Sequence, residues 1–60
     1  MIEVVSTGDG GVMAVRLDGV DHGEVWYDVD RGWLARHDDG TVTTHTSAAR
    51  AVEKIRERMI

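Results

Sequence analysis

Three histidines and eleven acidic side chains among 60 residues are the first candidates for chemistry. His37 and His45 lie eight residues apart, with Asp38-Asp39-Gly40 between them. Asp39-Gly40 reads as a two-residue type I′ hairpin turn, because Gly supplies the positive φ such a turn needs and Asp tolerates it. That turn puts His37 and His45 on opposite faces of a sheet, so one chain cannot bring both to one metal. Asp18, Asp21 and His22 could gather around a cation, but their spacing matches no metal-binding signature, and solvated loop side chains are the simpler reading. Asp28 with Asp30, and Asp38 with Asp39, have the form of paired acid–base carboxylates. Turn formation accounts for Asp30, Asp38 and Asp39 without any catalysis. Ser6 and Ser47 have no His and carboxylate placed to complete a triad. Gly8-Asp9-Gly10-Gly11 is glycine-rich like a phosphate loop, yet it falls within a hairpin rather than between a strand and a helix, and Asp9 would repel phosphate. Cys is absent, which removes disulfides, thiolate metal sites and thiol nucleophiles. A chain this short also has little room for a ligand pocket of about 300 Å³ or more. These residues predict neither an enzyme nor a bound cofactor or metal.

What remains is suited to recognition. Trp and Arg are the residue types most enriched at binding hot spots. Strand pairing sets Trp26 between Arg16 and Arg36, where a guanidinium over the indole is worth roughly 0.5–1 kcal/mol when exposed. Leu34, Thr43 and His45 extend the same surface, with Val12 and Ala14 as apolar neighbours. Arg16, Trp26, Leu34, Arg36, Thr43 and His45 are therefore the candidate partner-binding residues. The competing reading is that Trp26 merely covers backbone and the Arg stems shield it.

The elements that must position these side chains follow from the turn signals. Thr7-Gly8-Asp9-Gly10-Gly11, Asp18-Gly19, Asp30-Arg31-Gly32 and Asp38-Asp39-Gly40 recur about every ten residues, the spacing of an antiparallel meander. Strands are predicted at 2–6, 12–18, 24–30, 33–38 and 41–46. The type I′ turn pairs His37 with Val42, Ala35 with Thr44 and Trp33 with Thr46. The turn before it pairs Val29 with Trp33 and Tyr27 with Ala35. A longer loop around 19–23 pairs Leu17 with Val25, Val15 with Tyr27 and Met13 with Val29. One face then collects Met13, Val15, Leu17, Val25, Tyr27, Val29, Trp33, Ala35 and Val42. The other collects Val12, Ala14, Arg16, Glu24, Trp26, Asp28, Leu34, Arg36, Thr41, Thr43 and His45. A slip of one residue would exchange a strand's two faces.

After Thr46 the period changes from 2 to 3.6. Thr46 or Ser47 can cap a helix over 47–59 by accepting from a free amide of the first turn. Ala48, Val52, Ile55 and Met59 form one apolar stripe, with Arg50, Glu53, Lys54, Glu57 and Arg58 on the other side. Arg56 and Arg58 suit the negative end of the helix dipole. The stripe should lie across the apolar sheet face. The prediction is one α+β domain over residues 1–60, an antiparallel meander of four to five strands with one C-terminal helix on one face.

The net charge of −4 and pI near 5.1 argue against a generic polyanion binder. Residues 1–46 carry three Arg against nine acidic side chains, whereas residues 47–60 carry four cations against two Glu. No apolar run reaches the roughly 20 residues of a membrane span. Met-Ile-Glu-Val-Val has neither a basic region nor a long apolar stretch, so a signal peptide is not expected. A cytoplasmic protein without membrane contact is the expectation. So small a domain has a thin core and gains stability by associating, so a homodimer is expected.

The stretch Gly32-Trp33-Leu34-Ala35-Arg36-His37-Asp38-Asp39-Gly40-Thr41-Val42, with Thr44 and the Ala-rich segment 48–55, resembles the arm-binding N-terminal domains of phage integrases. It also resembles small HicB-like antitoxin domains. The first resemblance implies three strands and a helix that read DNA with the sheet. The second implies a dimer that neutralises a toxin. The chain departs from the integrase pattern in its acidity, since Glu24 and Asp28 flank Trp26 and oppose phosphate. The expectation is a small non-catalytic protein-binding or assembly module, homodimeric through the open sheet face. The alternative is a sheet-face DNA- or RNA-binding domain.

Overall fold

Alternating side chains and glycine-bearing turns build β1 (Ile2–Ser6), β2 (Met13–Leu17), β3 (Val20–Asp28), β4 (Gly32–His37) and β5 (Val42–His45), followed by helix α1 (Ala48–Arg58). The structure is a computed structural model and describes residues 1–58. The five strands form one antiparallel meander in chain order, and α1 packs across β3, β4 and β5. This is the α+β architecture expected. The Ser47 hydroxyl accepts from the Arg50 amide at 3.2 Å and caps the helix. The buried line on α1 runs through Ala51 and Ile55, with Val52 packed at its edge. Ala51 was not on the predicted stripe; a small side chain there lets helix and sheet approach closely. Met59, the last residue of that stripe, lies outside the described residues.

The β2–β3 connection determines where Trp26 points. Asp18 (φ 51°) and Gly19 (φ 83°) are both left-handed, as a two-residue type I′ turn requires. Leu17 therefore pairs with Val20, and β3 begins four residues earlier than expected. Continued unbroken, that register would turn Glu24 and Trp26 toward α1. It shifts between Val15 and Arg16, leaving His22 as the extra residue of a β-bulge. Beyond the bulge Met13 pairs with Val25, so Val25 enters the core and Trp26 looks away from α1. Gly23 follows the bulge. A Cβ there would lie 2.6 Å from the Arg36 carbonyl oxygen and 2.9 Å from Ile55 Cδ1, so the absence of a side chain is what lets Ile55 settle on the sheet.

Three pairings differ from expectation. Met13 faces Val25 rather than Val29, a shift of four residues. Tyr27 faces Trp33 rather than Ala35, a shift of two. Here the Asp28 carboxylate accepts from the amides of Asp30 (2.8 Å) and Arg31 (3.2 Å) and closes the turn early, leaving Val29 in the loop and 84% exposed. Even shifts leave each side chain on its expected face. The third shift is odd. Among the described residues Asp18 is the only non-glycine with positive φ, so Asp39-Gly40 is not type I′. Asp38, Asp39 and Gly40 instead form a three-residue loop with Gly40 alone left-handed (φ 88°), closed by Gly40 N–H to His37 O and His37 N–H to Thr41 O, both 2.9 Å. Ala35 consequently faces Thr43, and Arg36 faces Val42. β5 is flipped: Thr43 and His45 lie on the α1 side, and Val42 looks away from it.

Candidate functional site: the open sheet face

Opposite α1, one row crosses all five strands as Val5, Ala14, Glu24, Arg36 and Val42. The next row holds Trp26, Leu34 and Thr44, with Val12 just before β2. A third row is Glu3, Arg16 and Asp21. No element of the described chain crosses this face, yet Ala14 and Leu34 are each only 2% exposed. Flanking them are the half-buried indole of Trp26, cross-strand partner of Leu34, and the Glu24–Arg36 pair in the row of Ala14. Asp9 of the β1–β2 loop joins Val12, Glu24, Trp26 and Arg36 around a hollow of about 170 Å³.

The electrostatics of this face are closed on themselves. Arg36 pairs with Glu24 across the β3–β4 ladder, and its guanidinium carbon lies 5.9 Å from the centre of the Trp26 ring, a cation–π distance. Arg16 pairs with Asp21 and lies two rows from Trp26, so it does not flank the indole as expected. Of the six candidate residues, the structure brings together Trp26, Leu34 and Arg36. Arg16 stands at the margin. Thr43 and His45 are on the wrong side, because the β4–β5 turn has one residue more than the register assumed.

On the α1 side those two residues join something the sequence reading missed. His37 is 5% exposed, and its Nε2 lies 2.9 Å from Thr43 Oγ1, which lies 2.7 Å from His45 Nε2. The two histidines thought to sit on opposite faces are linked through one hydroxyl. Burial, reinforced by the Arg58 charge, holds the His37 imidazole below its ordinary pKa, and its Nδ1 has no partner among the described residues. His22, His37, Asp38, Asp39, Ile55 and Arg58 line an open cleft of about 480 Å³, larger than expected for so short a chain. Most of its polar groups are already held: His22 by Asp38 at 3.1 Å, Arg58 by Thr41 at 2.8 Å. The Asp39 carboxylate accepts from the Thr41 hydroxyl (2.6 Å) and amide (3.0 Å), which keeps its pKa low. An isolated Gly23 within a strand-like run was the available signal for the bulge that turns His22 into this cleft.

The remaining candidates have structural partners. Asp18 binds the N-terminal ammonium at 2.9 Å and Asp21 binds Arg16, so neither gathers with His22. The Ser6 hydroxyl accepts from the Gly8 amide, and Ser47 caps α1. Among the described residues no group of three His, Asp or Glu side chains is placed to hold a metal ion, and no helix is long and apolar enough to cross a membrane. Compared with known proteins, the chain matches no family model, no curated protein and no solved structure, so neither resemblance gains support.

Proposed function

We propose that this chain is a small non-catalytic assembly module that pairs with a second copy of itself through the open sheet face around Trp26. The observation that carries the reading is the patch itself: the half-exposed Val12 and Trp26 lie over the buried Ala14 and Leu34, with the Arg36–Glu24 and Arg16–Asp21 pairs beside them. That is the anatomy of an interface, an apolar core with a polar rim. A twofold contact sets the same patch against itself, and the Arg36–Glu24 and Arg16–Asp21 pairs can exchange carboxylates across it. The two longer extents of the molecule are 32 and 24 Å. The outline of a whole face is therefore at most on the order of 700 Å², so an interface of the standard size, roughly 800 Å² per partner, would engage the full face and not the Trp26 patch alone. A cytoplasmic setting, consistent with the Cys-free composition, belongs to the same reading.

The nucleic-acid alternative has less support. Both guanidiniums on this face are engaged by carboxylates, and Thr43 and His45 do not contribute to it. Salt separates the two ideas. Each copy carries −4, so added salt should screen repulsion and strengthen self-association, whereas phosphate contacts must weaken as salt rises. Sedimentation equilibrium at two salt concentrations, beside titration with single- and double-stranded oligonucleotides, tests this. A monomer at every concentration with salt-sensitive oligonucleotide binding would reverse the assignment.

A further inference from the structure

β1 is an edge strand of five residues, Ile2-Glu3-Val4-Val5-Ser6, paired on one side only. Exposed edges are templates for further pairing, and proteins usually guard them with Lys, Pro, a bulge or a covering element. Among the described residues β1 has none of these: its ladder to β2 runs through five consecutive pairs without a break, and its only charge is Glu3. The opposite edge differs. β5 is four residues long, is contacted by α1, and has Arg58 anchored on Thr41 beside its start.

We infer that β1 pairs antiparallel with β1 of a second copy, and that this edge contact joins open-face dimers into a tetramer of 222 symmetry. The inference rests on the open-face reading above. Full overlap of two antiparallel β1 strands occurs in one register only, centred on Val4. Val4 then meets its own copy, Glu3 lies beside Val5 of the other chain, and Ile2 lies beside Ser6. No like charges stand directly opposite, which is the arrangement a cross-strand pair requires. Val4 is 44% exposed on the α1 side, so the contact covers an apolar side chain that the monomer leaves wet. The twofold axis is perpendicular to the sheet. It therefore creates a ten-stranded sheet with both helices on one side and both Trp26 patches on the other. A second such sheet closes the patches face to face, at the usual sheet spacing of about 10 Å. A single five-pair edge is a small contact, and the closed ring strengthens it because each edge pair becomes intramolecular once the faces have met.

Sedimentation equilibrium up to millimolar chain concentration tests this. Wild type should reach the mass of four chains. Val4→Lys places two ammoniums opposite each other at the axis and should weaken the edge step at least tenfold, leaving dimers. Mixing Val4→Lys with Val4→Glu should restore the tetramer, which misfolded variants could not do. Trp26→Ala should also leave dimers, now held by the edge. A wild type that stops at two chains, with Val4→Lys of the same mass, overturns the edge contact and leaves the open-face reading standing. A Trp26→Ala protein whose mass follows wild type, while Val4→Lys lowers it, overturns the open-face reading and with it the tetramer.

Discussion

On the α1 side of the sheet, Val25 and Ala35 are fully buried because Ala51 and Ile55 lie on them. On the other side, Ala14 and Leu34 are nearly as dry with no element above them. The first face is closed by a helix whose fit depends on a glycine. The second has no element of the described chain over it; beside Ala14 and Leu34 stand the Trp26 indole and the Arg36–Glu24 pair, side chains that can rearrange. Similar burial thus has different mechanical meaning. A face sealed by backbone is core, whereas a face flanked by Trp, Arg and Glu can rearrange to take a partner.

The strongest way to break this comparison is at the helix seat. Gly23→Ala should cost about 3 kcal/mol, because the new methyl meets a backbone carbonyl that cannot move away cheaply. In a domain of this size that is most of the stability, and a urea titration should find the variant largely unfolded. Truncating one buried aliphatic on each face sharpens the contrast. Val25→Ala should cost about 2 kcal/mol under the helix, and Leu34→Ala about 1 kcal/mol despite losing more carbon, because the cost depends on how far the site can collapse. Equal or reversed losses would mean that the open face is as rigid as the core.

A third prediction concerns pH. The folded pKa of His37 lies below the ordinary 6.5. Between the two values the unfolded chain binds the extra proton. The stabilisation by neutral His37 is therefore complete above pH 6.5 and is lost as pH falls through the folded value. Thermal melts should show stability dropping below pH 6.5, and His37→Gln should flatten that slope. A wild type with unchanged stability through this range would deny that the ring is dry. The smallest effect is expected at Arg36. Because its pair with Glu24 is partly exposed, Arg36→Ala should cost the fold only about 0.5 kcal/mol.

The two Asp-Gly dipeptides show how much of this was legible. Asp18-Gly19 and Asp39-Gly40 look alike in sequence but close different turns. At Asp18 both residues are left-handed, and the carboxylate is taken by the distant N-terminus. At Asp39 the carboxylate is taken locally by Thr41, and the loop gains a residue. Neither choice is visible from the dipeptide, because tertiary and local hydrogen bonds decide it. The misread β2–β3 and β3–β4 registers were wrong by four and by two, so Trp26, Leu34 and Arg36 still landed on the open face. The β4–β5 register was wrong by one, and Thr43, His45 and Val42 changed sides. The helix, its cap and the meander were legible because period and turn composition are local. The His22 bulge had only Gly23 as a local signal, and its position was not legible, because it reconciles a tight turn with the need to bury Val25.

The most direct measurement is the effect of Trp26→Ala on two quantities in the same protein: self-association by sedimentation equilibrium and monomer stability by urea titration. If the indole serves an interface, association should weaken at least tenfold, about 1.4 kcal/mol, with stability lowered by about 1 kcal/mol or less. A stability loss of several kcal/mol with association unchanged would show that Trp26 is only the lid of its own fold.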